Sequence, residues 1–119
     1  MTILGTGIDI IEVDRIKKAI KRWGKNFLTH VFTKEEIEYA RRHKFPHQHF
    51  AARFAAKEAV LKAIGDNAHI SWKDITISHD KNGKPICRYR NKTFKDQILI
   101  SISHTHTYAV ASAIITSRP

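Results

Sequence analysis

The sequence has little cysteine, little proline and no long apolar run. Its 119 residues include 1 cysteine and 3 prolines. The lone Cys87 excludes an internal disulfide and indicates little more, so the cytoplasm is the default compartment. No stretch approaches the ~18 consecutive apolar residues of a membrane-spanning helix, and the N-terminus lacks the basic and apolar segments of a signal peptide. We therefore expect a cytoplasmic protein without a membrane partner, folded as one domain over residues 1–119.

Acidic side chains are scarce relative to basic ones. The chain has 21 Lys and Arg residues against 11 Asp and Glu, a formal net charge of +10 at pH 7. A surface of this charge attracts nucleic acid, anionic lipid, phosphate-rich ligands or an acidic protein. Charge alone does not choose among these ligands, so the arrangement of individual side chains has to decide.

Local signals predict an α+β fold. Asp14 is a candidate N-cap, Thr33–Glu36 is a capping box, Pro46 suits a first helical turn, and Asn82–Gly83 predicts a hairpin turn. Residues 91–97 are expected to be irregular or one helical turn. The order β-α-α-α-β-β-β-β predicts a mostly antiparallel sheet packed with one long and two shorter helices. The expected elements are a strand over 2–11, helices from Asp14 to about Trp23 or Phe27, from Thr33 to about Arg42 and from Pro46 to Gly65, and strands over 74–78, 85–90, 98–103 and 108–116.

Asp9 is an unusual residue for the first strand, whose other side chains are largely apolar. In an extended strand it shares a face with Gly7 and Ile11. Burying a carboxylate costs several kcal/mol unless a cation or a hydrogen-bond donor meets it. Asp9 therefore either caps a local group or faces a cleft in which a positive charge is expected.

The segment FAARFAAKEAVLKAI (50–64) is apolar on nearly all sides, which is typical of a buried helix, yet it carries four charged residues. At about 100° per residue, Arg53 and Lys57 lie on one line and Glu58 and Lys62 on another. One interpretation is an i,i+4 salt bridge between Glu58 and Lys62, worth a few tenths of a kcal/mol.

Asp9 and Glu58 together suggest a second interpretation. Two carboxylates in apolar settings can hold a Mg²⁺ ion that also binds substrate phosphates and water. Lys62, one turn beyond Glu58, could then neutralise phosphate charge or assist proton transfer. A rival metal site is the pair of His-x-His segments, 47–49 and 104–106, which in extended backbone could bind zinc.

The first predicted helix carries a basic stripe. Like charges at i,i+4 repel one another and destabilise the helix mildly, so the stripe favours docking of an acidic partner that would relieve this repulsion. A solvated charged face is the plainer interpretation. The stripe consists of Arg15, Lys18, Arg22 and Lys25, with Lys17 and Lys21 beside it.

Five segments occur in a characteristic order: GIDIIEVDRI, FTKEE, RFAAKEAVLKAIG, NGKP and SISHTHTYAVA. With them, the chain resembles the holo-acyl-carrier-protein synthases, the small bacterial 4'-phosphopantetheinyl transferases, over nearly its full length. The resemblance implies that fold, a role in fatty acid biosynthesis, and a reaction that moves the phosphopantetheine arm of coenzyme A to a serine of apo acyl carrier protein. Adenosine 3',5'-bisphosphate would be released.

The resemblance also implies roles for particular residues. Asp9 and Glu58 match the family's Mg²⁺ ligands, and Arg15 and Arg22 match basic residues that dock the carrier protein. It further implies a homotrimer with sites at subunit interfaces, where a neighbour could supply His104. The implied catalytic residues are Glu58, Lys62 and His104, and the implied coenzyme A-binding residues are Arg53, Lys62, Gly65, Ser103 and His104.

The chemistry fits these residues independently of the resemblance. Transfer of a phosphoryl-type group needs charge neutralisation and alignment more than covalent help. Glu58, or a water that it orients, would take the serine proton. The chain departs from the family's K-A-x-G-T-G pattern, since Asp66 and Asn67 follow Gly65. The alternative function is a small basic nucleic-acid-binding protein, but that hypothesis leaves Asp9 and Glu58 unexplained because acids repel phosphate.

Overall fold

A computed structural model describes residues 1–65, 70–90 and 94–119. It confirms an α+β fold with antiparallel strands and one long helix, although within these ranges the shorter helices number three rather than two. Asp66, Asn67 and residues 91–93 of the predicted irregular segment lie outside the described residues. The elements are β1 (Ile3–Glu12), α1 (Val13–Trp23), α2 (Lys25–Val31), α3 (Lys34–Arg41), α4 (Pro46–Ile64), a 3₁₀ turn (Trp72–Asp74), β2 (Ile75–His79), β3 (Pro85–Tyr89), β4 (Gln97–His104) and β5 (Tyr108–Thr116).

The strands form two separate antiparallel sheets. β5 lies between β1 and β4 in a three-stranded sheet, and β2 pairs with β3 in a hairpin. Helix α4 packs across the three-stranded sheet and buries an alanine-rich surface. The buried apolar residues of α4 are Phe50, Ala51, Ala52, Ala55, Ala56, Ala59, Val60 and Ala63.

Two glycines let β1 lie directly against α4. A Cβ atom on Gly5 would come within 2.0 Å of the Ala63 carbonyl oxygen, and one on Gly7 within 2.0 Å of the Ala59 carbonyl oxygen. Any side chain at these positions would push the strand away from the helix. Because side chains alternate along a strand, Asp9 follows Gly7 on this same helix-facing side.

The first helical region differs from the prediction in two ways. Gly24 has φ +55°, a left-handed value, and separates α1 from α2 instead of letting one helix continue to Phe27. The prediction of Asp14 as N-cap was wrong, because Glu12 occupies that position without a side-chain capping bond. The first helical amide, Val13 N, instead donates to Thr107 O at 2.8 Å. A tertiary contact from the β4–β5 turn thus replaces a local cap.

The capping box predicted at Thr33–Glu36 is present, and Glu36 also belongs to a buried ion pair. Lys57 Nζ lies 2.6 Å from Glu36 Oε1, and both side chains are fully buried. Lys57 also donates to the carbonyl oxygens of Val31 and Trp72 at 2.8 and 2.9 Å, while Glu36 Oε2 accepts from Ile77 N at 2.8 Å. This network joins α2, α3, α4 and the β2–β3 hairpin.

One face of the three-stranded sheet packs against α4, and the other is open. Ile8 and Ile10 point to the open face and are 67% and 65% exposed. Leu99 of β4 and Ile114 of β5 are exposed as well. Within the described residues, no helix is long and apolar enough to cross a membrane.

Candidate active site

Lys62 is the positively charged partner that we expected for the Asp9 carboxylate. Its Nζ lies 3.2 Å from Asp9 Oδ1 and donates to Ile8 O at 3.1 Å. The Asp9 side chain is 15% exposed and that of Lys62 is 52% exposed. Long helical side chains lean toward the helix N-terminus, so Lys62 extends back along α4 to reach Asp9. Across residues 1–65, Lys62 forms its ion pair with Asp9 and not with Glu58.

Glu58 is half-buried near Asp9. Burial raises the pKa of the Glu58 carboxyl, and the negative charge of Asp9 raises this pKa further, whereas Lys62 lowers it. A carboxyl with a raised pKa is more basic than usual, and a bound cation would stabilise its charged form. The site therefore combines two carboxylates with a single lysine.

This donor set fits Mg²⁺. Magnesium commonly takes one or two protein carboxylates and completes its shell with phosphate oxygens and water. In the described residues, no group of three or more His, Cys, Asp or Glu side chains could hold a metal ion by itself. Phosphate oxygens of a substrate would thus have to supply part of the shell.

His104 lies on the α4 side of the three-stranded sheet. Asp9 pairs across β5 with Ala111, which in turn pairs with Ile102. His104 is two residues beyond Ile102 and therefore shares that face. It is exposed at the end of β4, where its ring centroid lies 5.5 Å from that of His49 in an edge-on arrangement.

Arg53, a predicted coenzyme A-binding residue, is almost completely buried. It is 2% exposed, its Cζ lies 3.9 Å from the centroid of the Tyr39 ring, and its Nη2 is 3.4 Å from His79 Nδ1. Burial lowers the pKa of the Arg53 guanidinium. Among the described residues its Nε has no hydrogen-bond partner, and this atom is too deeply buried to be reached by a ligand in this conformation.

The other two predicted binding residues lie apart from Asp9. Ser103 pairs with Val110, which pairs with Ile10, so Ser103 belongs to the open face of the sheet. Gly65 is exposed and ends α4 with φ +76°. Within one chain, the structure therefore brings together Asp9, Glu58 and Lys62, but not Ser103.

The basic stripe is less uniform than its sequence indicates. Arg15 and Arg22 are exposed on α1, and the Arg22 guanidinium lies over Trp23 at 4.8 Å. Lys18 pairs with Asp14 at 2.9 Å, which lowers the pKa of Asp14 and raises that of Lys18. Lys25 belongs to α2 instead of α1.

The rival zinc hypothesis required extended backbone at both His-x-His segments. His47 and His49 instead lie in α4, where residues two apart point to different sides. The His106 ring, at Nδ1, hydrogen-bonds to Gln48 Nε2 at 2.7 Å. The geometry proposed for zinc is therefore absent from the described segments.

Sequence reasoning missed two features beside the site. It assigned Glu36 only to a capping box and did not single out Tyr39, over which Arg53 stacks. The available signal was the pair of cations, Arg53 and Lys57, on an apolar helix. A buried cation needs an acid or an aromatic face as its partner. Glu36 is the partner of Lys57, and Tyr39 is the partner of Arg53.

The sequence profile of the 4'-phosphopantetheinyl transferase superfamily matches residues 5–113. A holo-(acyl-carrier-protein) synthase of Protochlamydia amoebophila is 49% identical over 120 residues, which cover 96% of this chain and 98% of the relative. The corresponding protein of Thermodesulfovibrio yellowstonii is 44% identical over 114 residues, covering 96% and 99%.

Solved structures agree with these sequence matches. The chain is similar to a holo-(acyl-carrier-protein) synthase of Bacillus anthracis in complex with CoA (3',5'-ADP), with TM-score 0.86, 35% identity and coverage of 99% of this chain and 100% of that one. A Helicobacter pylori holo-(acyl-carrier-protein) synthase in complex with coenzyme A matches with TM-score 0.82 and 30% identity over 93% and 99% of the two chains.

Proposed function

This chain belongs to the 4'-phosphopantetheinyl transferase superfamily, and from that premise we propose how its residues serve a holo-acyl-carrier-protein synthase. The reaction transfers the 4'-phosphopantetheine arm of coenzyme A to a serine of apo acyl carrier protein and serves fatty acid biosynthesis. The observation that carries this conclusion is the full-length similarity to holo-acyl-carrier-protein synthases, one of which is 49% identical. Family membership favours the transferase over the nucleic-acid-binding alternative.

Asp9 and Glu58 would hold the magnesium ion. The support is their convergence between β1 and α4, where burial and then the charge of Asp9 raise the pKa of the Glu58 carboxyl. When bound, the ion would supply neutralisation of the negative charge on the diphosphate of coenzyme A. Lys62 contacts Asp9 and is half-exposed, so its ammonium group can turn toward a phosphate that enters beside it.

The serine proton would pass to Glu58 or to a water that Glu58 orients. A bound Mg²⁺ would stabilise the charged form of Glu58, and a charged carboxylate can accept this proton or hold the water that does so. His104 would contact the substrate from the end of β4, and Arg53, Ser103 and Gly65 would contribute to coenzyme A binding.

Arg15 and Arg22 would dock the carrier protein. Both are exposed on one helix, and the acid of that helix, Asp14, pairs with Lys18 and not with either arginine. An acidic partner is drawn to such a surface by long-range attraction, which raises the association rate and falls with added salt.

We propose that the protein is a homotrimer. The support is the open sheet face, which exposes Ile8, Ile10, Leu99 and Ile114 although such apolar patches normally mark interaction surfaces. Ser103 lies on this same face. Association through it would bring Ser103 to a neighbouring subunit and would complete a site that a single chain leaves divided.

The test is mass spectrometry of an apo acyl carrier protein incubated with coenzyme A and this protein. With Mg²⁺ present, the carrier should gain the mass of the phosphopantetheine arm, and with a chelator it should not. Glu58→Gln, which keeps the shape but removes the charge, should prevent the gain. An unmodified carrier in every reaction would contradict the proposed function, and modification that is equal with chelator would contradict the metal assignment.

A further inference from the structure

Four imidazole rings and one phenol form a connected group beside the site, here called the histidine cluster. It consists of His43, His49, His79, His104 and Tyr39. The Tyr39 and His43 ring centroids are 4.4 Å apart, those of His43 and His49 are 4.1 Å apart, and those of Tyr39 and His79 are 5.4 Å apart. His43 Nδ1 also lies 2.7 Å from Tyr39 O, which fixes that ring against α3.

His49 is the member that connects β4 to the rest of the cluster. Among the aromatic contacts of the described residues, the His104 ring meets only the ring of His49. His49 lies in α4, one helical turn before Arg53, and its ring also packs edge-on against Tyr39 at 5.7 Å. The helix that carries Glu58 and Lys62 thus also carries the ring on which His104 rests.

We propose that His49 is a positioning residue for His104, holding the exposed imidazole at the end of β4 in one orientation toward the substrate. This inference rests on the proposed function, which gives His104 a substrate-binding role. An exposed histidine at a strand end otherwise samples several side-chain rotamers. An edge-on aromatic contact favours one of them.

The surroundings of His49 keep its ring uncharged, as this packing needs. The groups that face it are His43 from the α3–α4 connection, Arg53 from its own helix, His79 from β2 and His104 from β4. Burial and these basic neighbours lower the pKa of His49 to about 4. At neutral pH, an uncharged His49 ring can lie against His104 without charge repulsion.

The cluster also has acidic neighbours at its edges. Glu35 and Glu36 act on Arg53, and Asp80 acts on His79. Glu36 is already engaged by Lys57, and Glu35 by Arg88. The groups that shift the pKa of His49 are all basic, and its contact with His104 is an edge-on packing of two rings.

The first test compares His49→Ala with His49→Phe. Alanine removes the ring that supports His104, whereas phenylalanine keeps a ring of similar size. We expect His49→Ala to lower kcat/KM for coenzyme A about threefold to tenfold, the factor that corresponds to a weak aromatic contact. The KM for the carrier protein should stay unchanged, and His49→Phe should recover most of the loss. Equal loss in both variants, or none in either, would overturn the proposal.

The second test needs no substrate and therefore separates this inference from the proposed function. The ring NMR signals of His104 should move in His49→Ala, and the coupling constants across its χ1 angle should show averaging among rotamers. In His30→Phe, which alters an exposed histidine of α2, they should not change. Unmoved His104 signals in His49→Ala would overturn the proposal. If the signals move but the parent protein fails to load the carrier protein, the proposed function is rejected instead.

Discussion

Lys62 Nζ lies 3.2 Å from Asp9 Oδ1 and 3.1 Å from Ile8 O. One ammonium group on α4 therefore binds both the carboxylate and the backbone of β1. Glu58 precedes Lys62 by one helical turn on the same side of the helix. The contact between the first strand and the longest helix consequently brings two acids and one cation together at the place where we propose that the diphosphate of coenzyme A binds.

Replacing Lys62 tests its role in catalysis. Lys62→Met should lower kcat by about 100-fold, the effect of removing one electrostatic contact to the transition state. The variant should also lower the free energy of unfolding by about 1–3 kcal/mol, because it leaves the mostly buried Asp9 carboxylate without its cation. Steady-state kinetics and urea denaturation measure the two effects. Arg90→Met, which breaks the exposed bridge to Asp74, is the matched control, and an unchanged kcat in Lys62→Met would leave Lys62 a structural partner only.

Reversing charge on α1 tests carrier docking. The double variant Arg15→Glu, Arg22→Glu should raise the KM for the carrier protein about tenfold or more, since like charges across an interface oppose association. The KM for coenzyme A should not change. Lys81→Glu with Lys95→Glu makes the same change in net charge at exposed positions elsewhere. If both double variants behave alike, net charge and not this helix governs carrier binding.

A charge on the open sheet face tests the trimer. Ile8→Lys places an ammonium group where a single chain is already 67% exposed, so the fold of the subunit should survive. In an apolar interface the same group would be buried without a partner, at a cost of several kcal/mol. Sedimentation should show subunits that no longer associate, together with lost activity. Phe45→Lys, at another exposed apolar residue, should remain associated, and an active monomer in either protein would refute the assembly.

Single substitutions in the ion pair of Glu36 and Lys57 should destabilise the fold strongly. Both side chains are fully buried, so Lys57→Met leaves an uncompensated carboxylate and should lower the free energy of unfolding by about 3–5 kcal/mol. In Glu36→Gln with Lys57→Met the loss should be smaller than the sum of the single losses, because neither charge remains. Urea denaturation of the four proteins measures this coupling. Additive losses would show that the two charges do not interact.

The free energy of unfolding should decrease as the pH is lowered, because His49 takes up a proton more readily in the unfolded chain. Its pKa is about 4 in the folded chain, against about 6.5 in an unfolded one. The unfolded state thus binds more protons between these values, and stability is lost as the pH falls from about 6.5 to about 4. Thermal unfolding across this range should show a smaller decrease in Tm for His49→Phe than for the parent protein. The exposed control His30→Phe should follow the parent, and parallel curves for all three proteins would contradict the assignment.

Features that depend on neighbours along the chain were predictable from the sequence. The Thr33–Glu36 capping box needs a hydroxyl and a carboxylate three residues apart, and the Asn82–Gly83 turn needs backbone that accepts positive φ. Gly83 does have φ +86°. The same holds for the two charged lines of α4, because helical periodicity fixes which side chains share a face.

Features set by distant contacts could not be predicted in the same way. Asp14 looked like a helix cap, but Thr107, far along the chain, satisfies the first amide of α1. Lys62 could have paired with Glu58 on its own helix, yet it binds Asp9 from another element. In both cases a tertiary partner took the place of the local one.

The sequence by itself determined which chemical groups the protein has and how they are spaced within each element, because local hydrogen bonds and helical geometry act over only a few residues. Its motifs also determined which family it belongs to. The tertiary structure alone decided that Lys62 meets Asp9, that Arg53 is buried beneath Tyr39, and that Ser103 faces away from the carboxylates. The first follows from the close approach of β1 to α4, which the two glycines permit. The other two follow from the packing of α3 against α4 and from the pairing of β4 with β5, contacts between separate elements of the fold.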